Sequence, residues 1–529
     1  MEADTKKFIQ TLEKILKPAR LRRAAERGGC VWFDVRPQDL VAACQSAVAA
    51  GAAFDSAFVS AASRPAGGFI LYYLLRAPAI GRMLVFQSTG KAFGALSATH
   101  NAALWDERKI QDLTGLSLSG IPDARPLIFH PESGMPKHRP VGHRSIPVPV
   151  HPDYVIAGTG AEGEYEAAVG PVHAGIIEPG HFRAHVVGEQ FNKLEIRMFY
   201  LHRGIEQAAE GKPAGSLIPL VESISGDESV ASSVAYCQAV ERAAGIAPPL
   251  RAESIRAVLL ELERIYSHLS DLGGMPTDVG FTFAASRFAV LREDMMRLNA
   301  RICGSRFLRG RVCVGGVTAD LDEAQRLDIK RTLSQFIVQL EHAERITLTS
   351  STYLDRVFMT GAVSPRVAAD LALLGPVARA VGVPCDLRRA LPYGAYARHP
   401  IREPLEKNGD VLSRFTVKLA EAKEAARLAR HISTYMHAGP LRAPANLGSK
   451  KGPRKNSLPR VGAGWAEAPR GGTTFLVELN ADGTVRRLAC RTPSFRNWRG
   501  IEKAVMGNIV PDFPLINKSF NMSYAGTDL

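Results

Sequence analysis

The chain has 529 residues, 46% of them apolar and 22% charged, which describes a folded globular protein of about two to four domains and excludes a disordered or fibrous one. Its net charge of +14 is spread along the sequence and is dense only at 6–27 and 449–460; with no nucleic-acid motif beside these stretches, anionic lipid or an acidic partner is expected rather than nucleic acid. Seven cysteines, at 30, 44, 237, 303, 313, 385 and 490, include no Cys-x-x-Cys, which argues against a disulfide framework or a cysteine-held metal in this chain and for a cytosolic protein with buried thiols.

The chain opens MEADTKKFIQ, without the basic start and apolar core of a secretory signal. No apolar run reaches the ~18–20 residues of a membrane span. Residues 30–130 read as a small α/β unit. Strands are expected at 31–35, 69–75 and 83–88, an Ala-rich helix at 39–52, and a helix at 101–113 stopped by Gly115. Prolines at 131, 136, 140, 147, 149 and 152 among basic residues make 131–152 a semi-rigid linker.

Beyond it, 153–529 is mainly helical. Apolar residues at steps of three and four predict amphipathic helices over 251–274, 323–347 and 410–433, the first closed by Gly273 and Gly274. Three such helices imply a bundle. TTFLVEL (473–479) and TVRRLACR (484–491) flank a turn and predict a hairpin. The fold class is therefore α+β: an N-terminal α/β domain and a helical bundle with peripheral hairpins. No Gly-x-Gly-x-x-Gly after a strand and no phosphate-binding loop is present, so no nucleotide site is expected on this chain.

Several motifs then occur in a fixed order. They are GPVHAGIIEPGHFR from Gly170, FYLHRGIEQ (199–207), ESISGDESVASS (222–233), LLGPVARAVGV (373–383), EAPRGG (467–472), RTPSFRNW (491–498) and NMSYAGTDL (521–529). The order resembles the large subunit of membrane-bound, energy-converting (group 4) [NiFe] hydrogenases and the D subunit of respiratory complex I. WDERKIQDLTGLSLSGIPDARPLIF (105–129) is similar to the C subunit of complex I, so the whole resembles a fused C–D-type subunit. In the hydrogenase family two Cys-x-x-Cys pairs hold nickel and iron. Here those positions are Ser225 and Glu228, then Ser523 and Gly526. One carboxylate and two hydroxyls do not replace four soft thiolates, so the departure implies no [NiFe] centre and no hydrogenase activity. In complex I the vacated cavity takes quinone, partly through a tyrosine twelve residues after the histidine of His-Arg-Gly. Here that position is Ala214, which leaves a quinone site incomplete.

The resemblance implies roles for further residues. His202 and Arg203 would face a [4Fe–4S] cluster in a partner small subunit, where a cation favours the reduced state; the plainer alternative pairs Arg203 with Glu206 or Glu210 on one helix face. Arg379 and Arg470 would line the cavity. His173, in the loop that also carries His181, would sit at its mouth as a hydrogen bonder or a proton carrier. Asp227 and Glu228 would handle protons at the former metal pocket, with at most one facing it, because successive helical residues point about 100° apart. The implied partners are an iron–sulfur small subunit like the B subunit of complex I, a ferredoxin-like subunit and membrane ion-translocating subunits. No cofactor is expected on this chain, and quinone is the one candidate ligand. The implied place is the inner face of the cell membrane. The implied function is to pass electrons through the partner's clusters and couple them to ion translocation, the alternative being a scaffold that docks the small subunit to the membrane arm.

Overall fold

The computed structural model describes residues 21–62, 68–130, 140–141, 156–173, 177–445, 447–448 and 460–529. The proline-rich stretch 131–152, apart from 140 and 141, and nearly all of the basic stretch 449–460 lie outside the described residues.

The first sheet contains β1 (Leu21–Arg27), β2 (Cys30–Val35), β3 (Ala53–Ala61), β4 (Phe69–Ala77) and β5 (Arg82–Gly90) in the order β1-β2-β5-β4-β3. β2 and β5 run parallel and the other neighbours antiparallel. α1 (Leu40–Ala49) connects β2 to β3. The sequence pattern gives β2, β4 and β5 but misses β1 and β3. In β3, AFDSAFVSA, polar residues that look solvent-facing are buried. Asp55 is 1% exposed and pairs with Arg491 at 2.6 Å. α2 (Leu104–Thr114) ends at left-handed Gly115, as expected. It is buried despite carrying Asp106, Glu107, Arg108 and Lys109, because each has a partner: Asp106 binds Arg496 at 2.8 Å and Lys109 binds Glu206 at 2.7 Å. These contacts, with the Tyr72 hydroxyl donating to Glu478 at 2.8 Å, fasten the first sheet to the helical part of the chain.

A second sheet is formed by β6 (Glu164–Val169), β7 (His181–Val187) and β8 (Gln190–Arg197), with β7 in the centre. The helical part follows: α3 (Ser229–Ala244), α4 (Leu250–Asp278), α5 (Thr282–Cys303), α6 (Glu323–Leu348) and α7 (Val411–Thr434). The last two match the expected helices, and Asp410 caps α7 by accepting the Ser413 N–H at 2.7 Å. α4 differs in two ways. It runs through Gly273 and Gly274 to Asp278, since these glycines make room for neighbours rather than ending the helix. A Cβ on Gly273 would stand 3.3 Å from Phe288 Cβ of α5, and one on Gly274 would stand 2.8 Å from the Lys518 side chain. It is also buried on nearly every side rather than on one face.

The third sheet is β9 (Arg460–Ala468), β10 (Gly471–Leu479) and β11 (Val485–Arg491), antiparallel throughout. The expected hairpin is β10–β11. β9, VGAGWAEA, carries too few branched side chains to read as a strand. Its glycines explain why it is one: α3 lies against its backbone, and a Cβ on Gly464 would fall 2.1 Å from the Ala235 carbonyl oxygen. The chain ends in α8 (Pro493–Ala504), α9 (Phe513–Phe520) and α10 (Tyr524–Asp528). Five of the seven cysteines are buried and Cys303 and Cys313 are half-buried, all as free thiols. Among the described residues no helix is long and apolar enough to cross a membrane.

Candidate functional site

The two stretches 225–228 and 523–526 meet. Ser523 caps α10, its Oγ accepting the Gly526 N–H at 3.0 Å. The Ser225 hydroxyl lies 2.9 Å from Ser523 Oγ and 3.0 Å from Asp227 Oδ1. A hydroxyl has one hydrogen to give, so the chain Ser523 to Ser225 to Asp227 satisfies both serines. A Cβ on Gly526 would stand 3.3 Å from Ser225 Cβ, so three of the four expected positions are in mutual contact.

Glu228, the fourth, faces Arg470. The turn between β9 and β10 points this guanidinium at both carboxylates: Asp227 receives Nη1 at 3.0 Å and Nη2 at 2.7 Å, and Glu228 Oε1 lies 3.3 Å from Nη1. Glu228 also accepts the Arg470 main-chain N–H at 3.2 Å, and Arg470 Nε donates to the Asn521 carbonyl. The expectation that only one carboxylate faces the pocket is corrected here. Residues 225–228 are not helical; Glu228 is the N-cap of α3 at φ −125° and ψ 38°, so the 100° rule does not apply. Burial raises the Asp227 carboxyl, but the Arg470 charge outweighs it and the net displacement is downward. For Glu228 burial wins over Arg470, with help from the Asp227 charge, and its carboxyl is held above the usual range.

The His-Arg-Gly turn holds the same two stretches together. Arg203 donates to the carbonyls of Ser223 at 2.8 Å, Ile224 at 2.9 Å and Ala525 at 2.8 Å. The alternative pairing of Arg203 with Glu206 or Glu210 is not what forms. Glu206 turns inward to Lys109 and Arg487, both at 2.7 Å, and Glu210 lies 3.5 Å from Arg487. His202 Nδ1 bonds the Asp528 carbonyl at 2.7 Å. The Asp528 carboxylate accepts the N–H groups of Phe199 and Leu201, each at 2.8 Å, yet burial pushes it up to about 7.

His173 Nε2 bonds the Gly180 carbonyl at 2.7 Å, closing its own loop, while Glu178 from that loop accepts the Ala525 N–H at 2.9 Å. Arg379, expected to line the cavity, makes buried ion pairs instead of reaching Asp227 or Glu228. It is fully buried and held by Glu421 at 2.7 Å and Glu467 at 2.9 Å. Ala214 is buried as well, and its carbonyl takes the Tyr236 hydroxyl at 2.8 Å.

Two further residues border the pocket and escape the sequence reading. Asp271 pairs with Lys418 at 2.6 Å and accepts the Asn521 side-chain amide. Lys418 sits on the apolar stripe of its predicted helix, which is the one sequence signal the pair gives, whereas Asp271 lies on the polar side of its own.

The residues present do not fit a nickel–iron centre. The two hydroxyls are bonded to each other, the glycine has no donor, and the carboxylate is paired with a guanidinium that would stand beside any cation placed there. Quinone is likewise without its tyrosine contact at Ala214.

Residues 278–461 match the family described as the 49 Kd subunit of respiratory-chain NADH dehydrogenase. Formate hydrogenlyase subunit 5 of Escherichia coli (strain K12) is 31% identical over 435 residues, covering 81% of this chain and 75% of that protein. Hydrogenase-4 component G of the same strain is 30% identical over 474 residues, covering 87% and 81%. A chain of the membrane-bound sulfane sulfur reductase, an archaeal respiratory membrane complex, superposes with a TM-score of 0.64 at 25% identity, covering 69% of this chain and 99% of that one.

Proposed function

We propose, because the chain belongs to the family of the respiratory-chain NADH dehydrogenase 49 Kd subunit and its hydrogenase relatives, that it is the peripheral electron-handling subunit of a membrane-bound complex and works without nickel. Its relatives are subunits of membrane-bound hydrogenase or complex I-like respiratory complexes. The observation that carries the reading is the pocket where Arg470 bridges Asp227 and Glu228 beside the Ser225–Ser523 hydrogen bond. A guanidinium with two carboxylates, one of them held above the usual range by burial, can exchange a proton with a bound acceptor; it has no group that itself takes an electron, and it cannot bind hydrogen as a metal does.

Electrons would reach this pocket from a [4Fe–4S] cluster in a small subunit seated near Arg203. A ferredoxin-like subunit would supply them, membrane subunits would move ions, and this chain would sit peripherally on the inner face of the cell membrane. The relatives named above act in formate hydrogenlyase, hydrogenase-4 and sulfane sulfur reduction. Membership therefore leaves the acceptor open, and a sulfur compound or quinone are the classes to try.

The test is metal analysis and redox titration of the purified complex. Iron and labile sulfide are expected in stoichiometric amounts, nickel is not, and the cluster should reoxidise when the acceptor is added. Stoichiometric nickel would overturn the reading. Clusters that stay reduced with every acceptor would favour the scaffold.

A further inference from the structure

Three residues before Arg470, near the end of β9, Glu467 enters a second buried set of charges. Glu261 and Arg264 reach it from α4 and Glu421 from α7, while Arg379, Asp386 and Arg388 come from the connection between α6 and α7. Each is at most 2% exposed. Among the described residues this set contains four carboxylates and three guanidiniums. Fully ionised, it would leave one uncompensated negative charge in the core, and such a group takes up a proton instead.

Partner geometry shows which carboxyl does so. Asp386 holds Arg388 through Nε at 3.0 Å and Nη2 at 2.6 Å, and Glu261 takes Arg388, Arg264 and the Tyr396 hydroxyl. Glu421 binds Arg379 Nε at 2.7 Å and His268 Nε2 at 2.8 Å, with Arg264 at 3.6 Å. Glu467 has one guanidinium contact, Arg379 Nη1 at 2.9 Å, and one main-chain donor, Leu387 N–H at 3.0 Å. It also shares Nη1 with Asp386, which lies 3.5 Å from the same nitrogen, so its one cation is divided. We propose that Glu467 is a proton-binding site, holding the single exchangeable proton that neutralises the cluster around Arg379.

The other ionisable groups facing it are consistent with this. Cys385 and Tyr393 beside it are neutral, the thiol pushed up to about 12 by burial. His268, against Glu421, is held low by burial. α3 packs along β9 but turns Arg242 to the Ala463 carbonyl. Burial and the Asp386 charge push the Glu467 carboxyl up to about 7, against Arg379 and Arg264. The site is tied to the functional pocket through the chain itself: Arg264 donates to the Glu467 and Ala468 carbonyls at 2.7 and 3.3 Å, and Arg470 follows. Under the proposed function, charge arriving at Arg470 is answered here; the proton site itself does not depend on that reading.

Infrared titration of the intact protein from about pH 5 to about pH 9 tests it through the carbonyl stretch of protonated carboxylic acids. The wild type should show a component that disappears with a midpoint near neutrality. Glu467→Gln should lose that component, while Glu502→Gln and Asp528→Asn, which remove the two other carboxyls raised to about 7, should keep it. A Glu467→Gln spectrum identical to wild type in this region would overturn the proposal. If that variant does not fold, Asp386→Asn serves instead: with the like charge gone, the component should titrate at lower pH, and an unmoved midpoint would count equally against it.

Discussion

Replacing Glu206 by Gln should loosen the joint between the first sheet and the helical part of the chain. Glu206 is 6% exposed and sits between Lys109 of α2 and Arg487 of β11, while its Oε1 also accepts the Cys490 N–H at 3.1 Å. Burial would raise its carboxyl, but the two cations outweigh burial and hold it at about 2 instead of 4.5. At about 1.4 kcal/mol per pH unit that difference is worth about 3 kcal/mol. Because the folded value is depressed, this stability is complete above about pH 4.5 and is lost as pH falls toward 2. Gln removes the charge at every pH and leaves Lys109 buried without a carboxylate and Arg487 with only the longer contact to Glu210 at 3.5 Å; about 3–5 kcal/mol is typical for a buried charge left unpaired. Hydrogen exchange read by mass spectrometry should show the amides of α2 opening about a hundredfold faster at neutral pH. Glu206→Gln combined with Lys109→Met should recover part of the loss. Wild-type exchange in α2 of the single variant would show that the pair contributes nothing and that apolar packing alone fastens the sheet.

Three other outcomes are expected. Under the proposed function, Arg203→Ala should lower the potential of the nearest cluster in a partner small subunit by about 30–60 mV, roughly 0.7–1.4 kcal/mol for one electron; Arg203→Lys should restore part, and coincident potentials by redox titration would reduce Arg203 to a structural role. Gly464→Ala places a Cβ 2.1 Å from the Ala235 carbonyl and should destabilise the protein by about 1–3 kcal/mol or more, read as a lower midpoint in urea. Asp528, raised to about 7 by burial, contributes stability that is complete below about pH 4 and lost as pH rises through 7, so proteolysis near the C-terminus should quicken from about pH 4 to about pH 7 and level off above, and Asp528→Asn should flatten that dependence.

The long helices were legible because their apolar spacing is regular, and the convergence of 225–228 with 523–526 was legible through the resemblance. What the sequence hid follows one cause. Buried charge looks like surface charge until its partner is known, and the partners are remote: Asp55 with Arg491, Lys109 with Glu206, Asp271 with Lys418. The same cause made α4 read as one-faced and concealed β3. β9 was hidden for the opposite reason, since its glycines mark backbone contact with α3 and leave no side-chain pattern to find. The plainer alternative for Arg203, a carboxylate partner on its own helix face, does not form; the fold gives it three carbonyls.

A metal held by four thiolates would also cross-link the two stretches that carry them, so a chain without those thiolates must close the same loops by other bonds. Here guanidiniums do so. Arg203 joins the carbonyls of 223 and 224 to that of 525, and Arg470 joins Asp227 and Glu228 to the Asn521 carbonyl. Hydrogen bonds to charged groups are worth about 1.5–3 kcal/mol each, a range that applies to buried Arg470 and less to Arg203, two of whose bonds are exposed; in combination they order both stretches. The expected consequence is that a strong chelator leaves the thermal midpoint of this chain unchanged, whereas Arg470→Met lowers it and exposes 523–528 to protease. A midpoint that falls with chelator and recovers on adding a divalent metal would show that an ion, rather than Arg470, holds the pocket closed.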